Sequence, residues 1–163
     1  QLSVLYQQLL DKAFNPAGTD AGDVVGLLEK LEQVKPEHAY TQYARLLVAR
    51  VAVQDNRLED AASLLQAVVD KPASPVLGEL ARQRLARVLA ATDQPEQALA
   101  LLDGNGPEAY RAARSELRGD LLVQLGRTAD ARKAYEQARE QMADSSATGS
   151  LMMKLDDLSA GDA

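Results

Sequence analysis

Residues 117–135 read Leu117-Arg118-Gly119-Asp120-Leu121-Leu122-Val123-Gln124-Leu125-Gly126-Arg127-Thr128-Ala129-Asp130-Ala131-Arg132-Lys133-Ala134-Tyr135. The reading is helix, tight turn, helix. Gly126 suits the turn, because a left-handed backbone conformation costs glycine little. Gly119 and Ala131 are small, so two antiparallel helices can approach closely where they face each other. Tyr135, one turn beyond Ala131, then fills the space beside the contact.

The same spacing occurs twice more. Ala49-Ala61-Leu65 and Ala86-Ala98-Leu102 repeat the small–small–large pattern of Gly119-Ala131-Tyr135, with internal steps of 12 and 4 residues each time. The units are offset by 37 and 33 residues. A period near 34 with this pattern is the tetratricopeptide signature. Pro36, Pro72 and Pro107 recur at nearly the same interval. Proline is kept out of helix interiors, so these three mark boundaries. Asn56 and Asp93 stand where the third unit has Gly126, and both residue types tolerate the left-handed region. Pro95 is placed at the first residue of its helix, with φ already set.

The expected fold is therefore all-α, a right-handed solenoid of antiparallel helical pairs with a short C-terminal capping helix. The helices are expected at 2–14 and 21–34, 38–54 and 58–70, 75–92 and 95–104, then 107–125 and 128–142. Residues 1–36 form an atypical N-terminal pair acting as a cap, with the turn-rich loop Asn15-Pro16-Ala17-Gly18-Thr19-Asp20. Residues 37–143 form three repeat-like pairs, and 144–163 a linker with the capping helix. The linker is Asp144-Ser145-Ser146-Ala147-Thr148-Gly149-Ser150. Leu151, Met152, Leu155 and Leu158 then fall at helical spacing, and are expected to cover the open apolar end of the last pair. Met152-Met153 is accordingly read as packing rather than as a soft ligand pair.

Composition limits the function. Of 163 residues, 46% are hydrophobic and 26% charged, which fits a folded domain. Aromatic residues are only 4%, and an Ala- and Leu-rich chain favours helix over strand. The net charge of −6 argues against nucleic-acid binding, which needs a basic face. The stripe Arg82, Arg84 and Arg87 is read as a solvated helix face. With no cysteine, disulfides, thiolate metal sites and cysteine nucleophiles are excluded. His38, the one histidine, sits at a helix start and is read as a surface residue. Glu29/Glu32, Glu59/Asp60 and Asp156/Asp157 pair carboxylates without the cleft and raised pKa that acid catalysis needs. Gly104-Asn105-Gly106 lacks the Lys-Ser/Thr of a phosphate loop. Neither cofactor nor metal nor catalytic residue is expected.

Several segments carry a closer resemblance. Leu117-Arg118-Gly119-Asp120-Leu121-Leu122, the Gly126 turn, Ala131-Arg132 and the ending Met152-Met153-Lys154-Leu155-Asp156-Asp157-Leu158-Ser159 resemble the YfgM family of ancillary subunits of the bacterial SecYEG translocon. So do residues 81–89 with Ala98-Leu99 and Leu101-Leu102-Asp103, and residues 55–62. The resemblance covers about residues 40–159, with Asp156-Asp157 standing where some relatives carry amides. It implies a cytoplasmic tail, one transmembrane helix and a periplasmic repeat domain. It also implies partners: the translocon, the membrane-anchored periplasmic chaperone PpiD, and newly exported polypeptides. The chain starts at Gln1 rather than Met, and about 20 apolar residues are expected shortly upstream. The expected location is the periplasmic side of the inner membrane. A scaffold or assembly factor for another envelope complex is the competing reading.

In such arrays the first helices of the pairs line a binding groove. The register points Tyr43, Leu46 and Arg50 into it, then Gln83 and Arg87, then Glu116 and Asp120. The groove is expected to run from a partly apolar, basic stretch to an acidic one, without a clamp for a free C-terminus.

Overall fold

The computed structural model describes residues 1–14, 21–142 and 149–161. Among these residues every regular element is helical: α1 (Leu2–Phe14), α2 (Ala21–Val34), α3 (Ala39–Gln54), α4 (Leu58–Asp70), α5 (Pro75–Ala91), α6 (Pro95–Leu101), α7 (Arg111–Gln124), α8 (Thr128–Gln141) and α9 (Gly149–Gly161). A 3-10 turn at Glu108–Tyr110 precedes α7. The chain divides into two compact units, Gln1–Thr92 and Asp93–Ala163.

The ends of the helices are written locally. His38 caps α3, its Nδ1 accepting from the Tyr40 N–H at 3.1 Å. Ser74 caps α5 through the Leu77 N–H at 3.2 Å, and Pro75 follows at the first position. Pro95 opens α6 in the same way. Asn56, Asp93 and Gly126 all have positive φ, at 59°, 62° and 75°. After α3 the Arg57 N–H reaches the Ala52 carbonyl (2.7 Å) and the Asn56 N–H reaches Val53 (3.0 Å). After α7 the Arg127 N–H reaches Leu122 (2.8 Å) and the Gly126 N–H reaches Val123 (3.0 Å). These are paired Schellman closures, which satisfy carbonyls that would otherwise end the helix unbonded.

Two boundaries of the paired helices differ from expectation by more than one residue. Helix α6 stops at Leu101, not 104: the chain leaves helical geometry at Leu102 (φ −99°, ψ 14°), and Gly104 and Gly106 beyond it take positive φ (83° and 63°). The helix expected from 107 starts as a 3-10 turn and becomes α only at Arg111, since Tyr110 (φ −110°, ψ 1°) falls outside helical geometry.

In the first unit α1 packs on α2 and α3, α3 on α4, and α5 on α3 and α4. Its core includes Leu9, Val24, Leu28, Leu31, Ala44 and Val48, with Leu65, Val68, Leu77 and Leu85 also buried. Burial of each such leucine contributes about 1.5–3 kcal/mol. Gln42 ties α3 to the segment after α4. Its amide donates to the Lys71 carbonyl (2.6 Å) and accepts from the Ala73 N–H (2.7 Å). In the second unit α7 packs on α6 and α8, and α9 on α8. Its core joins Leu122, Ala131, Tyr135 and Ala138 to Leu151 and Leu155 of α9.

All nine residues of the three small–small–large sets are buried. The expected covering role holds for Leu151 and Leu155, and Leu158 packs beside them. Met152 and Met153 correct the expectation: they are 39% and 66% exposed. With Leu151 and Leu155 turned inward, positions 152 and 153 face solvent. The loop 15–20 and most of the linker, 143–148, lie outside the described residues. Gly149 and Ser150, expected in the linker, open α9.

Candidate functional site

Tyr43, Leu46, Arg50 and Val53 recur at helical spacing and so share one face of α3. Beside that face, in the first unit, lies a cleft of about 280 Å³ between α3, α4 and α5. Leu46, Leu65 and Val88 form its apolar floor, and Arg50, Arg84 and Arg87 also line it. The three arginine residues are exposed, so their guanidinium groups remain accessible. Arg50 lies over the ring of Phe14 on α1, 5.1 Å from its centroid. Arg84 has a lowered pKa, first because it is partly buried and then because Arg50 and Arg87 are near. Among the described residues neither Arg84 nor Arg87 has an ion pair to a carboxylate.

Tyr43 is 42% exposed, 6.4 Å from the Tyr6 ring, which itself stacks on Tyr40 at 5.1 Å. Leu46 and Gln83 both precede the small residue of their helix by three positions, and both are buried. Leu46 therefore serves as floor. Gln83, expected to face the groove, instead donates its amide to Glu79 at 3.0 Å within the protein.

Glu116 and Asp120 lie in the second unit. Lys154 of α9 binds both, at 3.0 Å from Glu116 Oε1 and 3.0 Å from Asp120 Oδ1. The Tyr135 hydroxyl donates to Asp120 Oδ1 at 2.6 Å. Burial, then this hydrogen bond and the carboxylate charges, push the Tyr135 pKa up. Burial alone would lower Lys154, but its bonds to Glu116 and Asp120 outweigh that and raise it. The acidic pair thus already has a cationic partner inside the chain.

Sequence reasoning placed Leu46, Arg50 and Arg87 at what is one cleft. It missed Arg84, which had been set aside within a solvated stripe, and Phe14. The i, i+3 spacing of Arg84 and Arg87 puts them on one face, and that signal was present. What no one-dimensional pattern gives is the placing of Phe14 of α1 beneath the Arg50 guanidinium. His38 is a helix cap. Among the described residues no three His, Asp or Glu side chains are grouped to hold a metal ion. Among them too, no helix is long and apolar enough to cross a membrane.

A family model described as a tetratricopeptide repeat-like domain matches residues 1–160. Over 159 residues the chain is 29% identical to a protein of Neisseria gonorrhoeae named "Ancillary SecYEG translocon subunit", covering 97% of this chain and 75% of that protein. Over 123 residues it is 31% identical to an Escherichia coli protein of the same name, covering 76% of this chain and 60% of that protein.

Proposed function

The chain belongs to the tetratricopeptide repeat-like domain family, and from that premise we propose that it is a non-catalytic protein–protein interaction domain acting at the SecYEG translocon. The observation that carries this reading is the similarity to two ancillary translocon subunits, one of them matched over nearly the whole chain. In finer detail, the domain belongs to a membrane-anchored factor on the periplasmic side of the inner membrane. There it links SecYEG to the chaperone PpiD and assists newly exported polypeptides. Residues 37–143 supply the binding pairs, and 1–36 and 144–163 close the ends.

The physical support is the α3–α5 cleft. Helices fixed by a packed core present Tyr43, Arg50 and Arg87 without ordering a loop first, so little conformational entropy is lost on binding. Tyr and Arg combine contact area with directional polar groups and dominate many interfaces.

The test is Tyr43→Ala with Arg87→Glu in the membrane-anchored protein. Both residues are exposed, so circular dichroism and thermal unfolding should match the parent. Co-purification with SecYEG and PpiD should be lost. Undiminished recovery of both would remove the cleft from the interface.

A further inference from the structure

We propose that the cleft bounded by Arg50, Arg84 and Arg87 takes an internal acidic–apolar segment of a partner polypeptide. One large apolar side chain sits on Leu46, Leu65 and Val88, and Asp or Glu side chains on either side meet the guanidinium groups. The inference rests on the protein-interaction reading and names the chemistry of what that surface recognises.

The first argument is charge. The chain carries −6 in all, yet three cations line this one cleft, and Arg84 and Arg87 have no carboxylate partner among the described residues. Like charges in one cleft repel, and an arriving carboxylate relieves that repulsion. The second unit offers a contrast, because there Lys154 already answers Glu116 and Asp120. The second argument is placement. Arg84 and Arg87 stand one turn apart on α5, and Arg50 comes from α3. The cations therefore flank the floor from two helices. A single terminal carboxylate supplies one negative charge against three positive ones. Two or more side-chain carboxylates around an apolar residue match both the number and the spread. Planar guanidinium forks also suit carboxylates bidentately. The third argument is size. About 280 Å³ with an apolar floor admits one or two side chains and lies below the usual range of roughly 300–1,000 Å³ for small-molecule pockets. Arg50 is also steadied by Phe14, which limits the entropy lost when it engages.

The experiment measures fluorescence anisotropy of labelled peptides with the 163-residue chain. The first probe is an acetylated, amidated peptide of about 12 residues with Leu at its centre and Glu on both sides. The second replaces every Glu by Gln. The third is the Gln peptide with a free C-terminal carboxylate. Phosphatidylglycerol vesicles form the fourth arm. The Glu peptide should bind about 10-fold or more tighter than the Gln peptide and weaken as salt is raised. Arg84→Gln with Arg87→Gln should abolish that preference while circular dichroism is unchanged, and Arg84→Lys with Arg87→Lys should keep part of it. Equal affinity for the Glu and Gln peptides, preference for the free terminus, binding of vesicles alone, or no binding in any arm would each overturn the inference. If one of these occurs while Tyr43→Ala with Arg87→Glu still loses co-purification, the interaction reading stands and only the acidic-segment inference falls.

Discussion

The ring of Tyr135 stands where a Cβ on Gly119 would stand: an added methyl would lie 2.8 Å from Tyr135 Cζ and nearer still to two other ring atoms. The ring cannot simply swing away, because its hydroxyl is held by Asp120 at 2.6 Å. A glycine inside a helix costs about 1 kcal/mol relative to alanine. Here the cost is offset by a close α7–α8 approach with an aromatic side chain filling the gap.

Gly119→Leu should therefore destabilise the protein by about 1–3 kcal/mol through overpacking. Gly119→Ala should also destabilise, despite its better helix propensity. Combining Gly119→Ala with Tyr135→Leu, which removes the ring from that space, should recover part of the loss. Urea denaturation of the three variants decides this. A neutral Gly119→Leu would mean that the two helices do not approach as described.

The helix closures give a second expectation. At Gly126, φ is 75°, and any side chain with a Cβ is strained there. Gly126→Ala should cost about 1–2 kcal/mol. Asn56, at φ 59°, should tolerate Asn56→Gly with little change but lose stability as Asn56→Val, because β-branching is least compatible with this region. Thermal unfolding of the three variants is the measurement, and equal midpoints for Asn56→Gly and Asn56→Val would contradict the assignment.

Helix α9 makes a third test possible. Leu151 is fully buried in the core of the second unit, while Met153 is 66% exposed. Leu151→Ala should cost about 2–4 kcal/mol by leaving a cavity. Met153→Ser should change stability by less than about 0.5 kcal/mol. Denaturation curves that rank the two the other way would invert the register of α9.

Alkaline pH probes the Lys154 network. The pKa values of Lys154 and Tyr135 are both raised in the folded protein. A raised folded pKa gives stability that is complete below the unfolded value, roughly 10 for both types, and is lost as pH rises through the folded value. Unfolding free energy should therefore fall above about pH 10. Lys154→Met removes the lysine part, so its alkaline loss should be smaller than that of the parent. Parallel pH profiles for the two proteins would show that Lys154 contributes nothing in that window.

Local features were legible in the sequence for local reasons. Proline at 95, a left-handed position at 56, 93 and 126, and a small residue at 49, 86 and 119 each constrain backbone or approach distance by themselves. Helix ends departed by more than one residue only where the cue was weak: α6 leaves helical geometry at Leu102, two residues ahead of Gly104, where no proline or capping residue marks the end. The Met152-Met153 error has the same origin, since four apolar residues in a row of turns leave two faces to choose from.

The sequence by itself determined the helical pairs, their period and the buried small–small–large sets, because these depend on side-chain size and backbone freedom at fixed spacings. Only the tertiary structure decided which charges are satisfied. Lys154 reaches Glu116 and Asp120 across 38 and 34 positions, and Arg50 lies over the ring of Phe14 from another helix. Gln83 and Arg84 are neighbours in sequence, yet one is buried and the other lines the cleft. Ion pairing depends on distances of a few ångströms between side chains of separate helices, and those distances are set by packing, which residue order does not state.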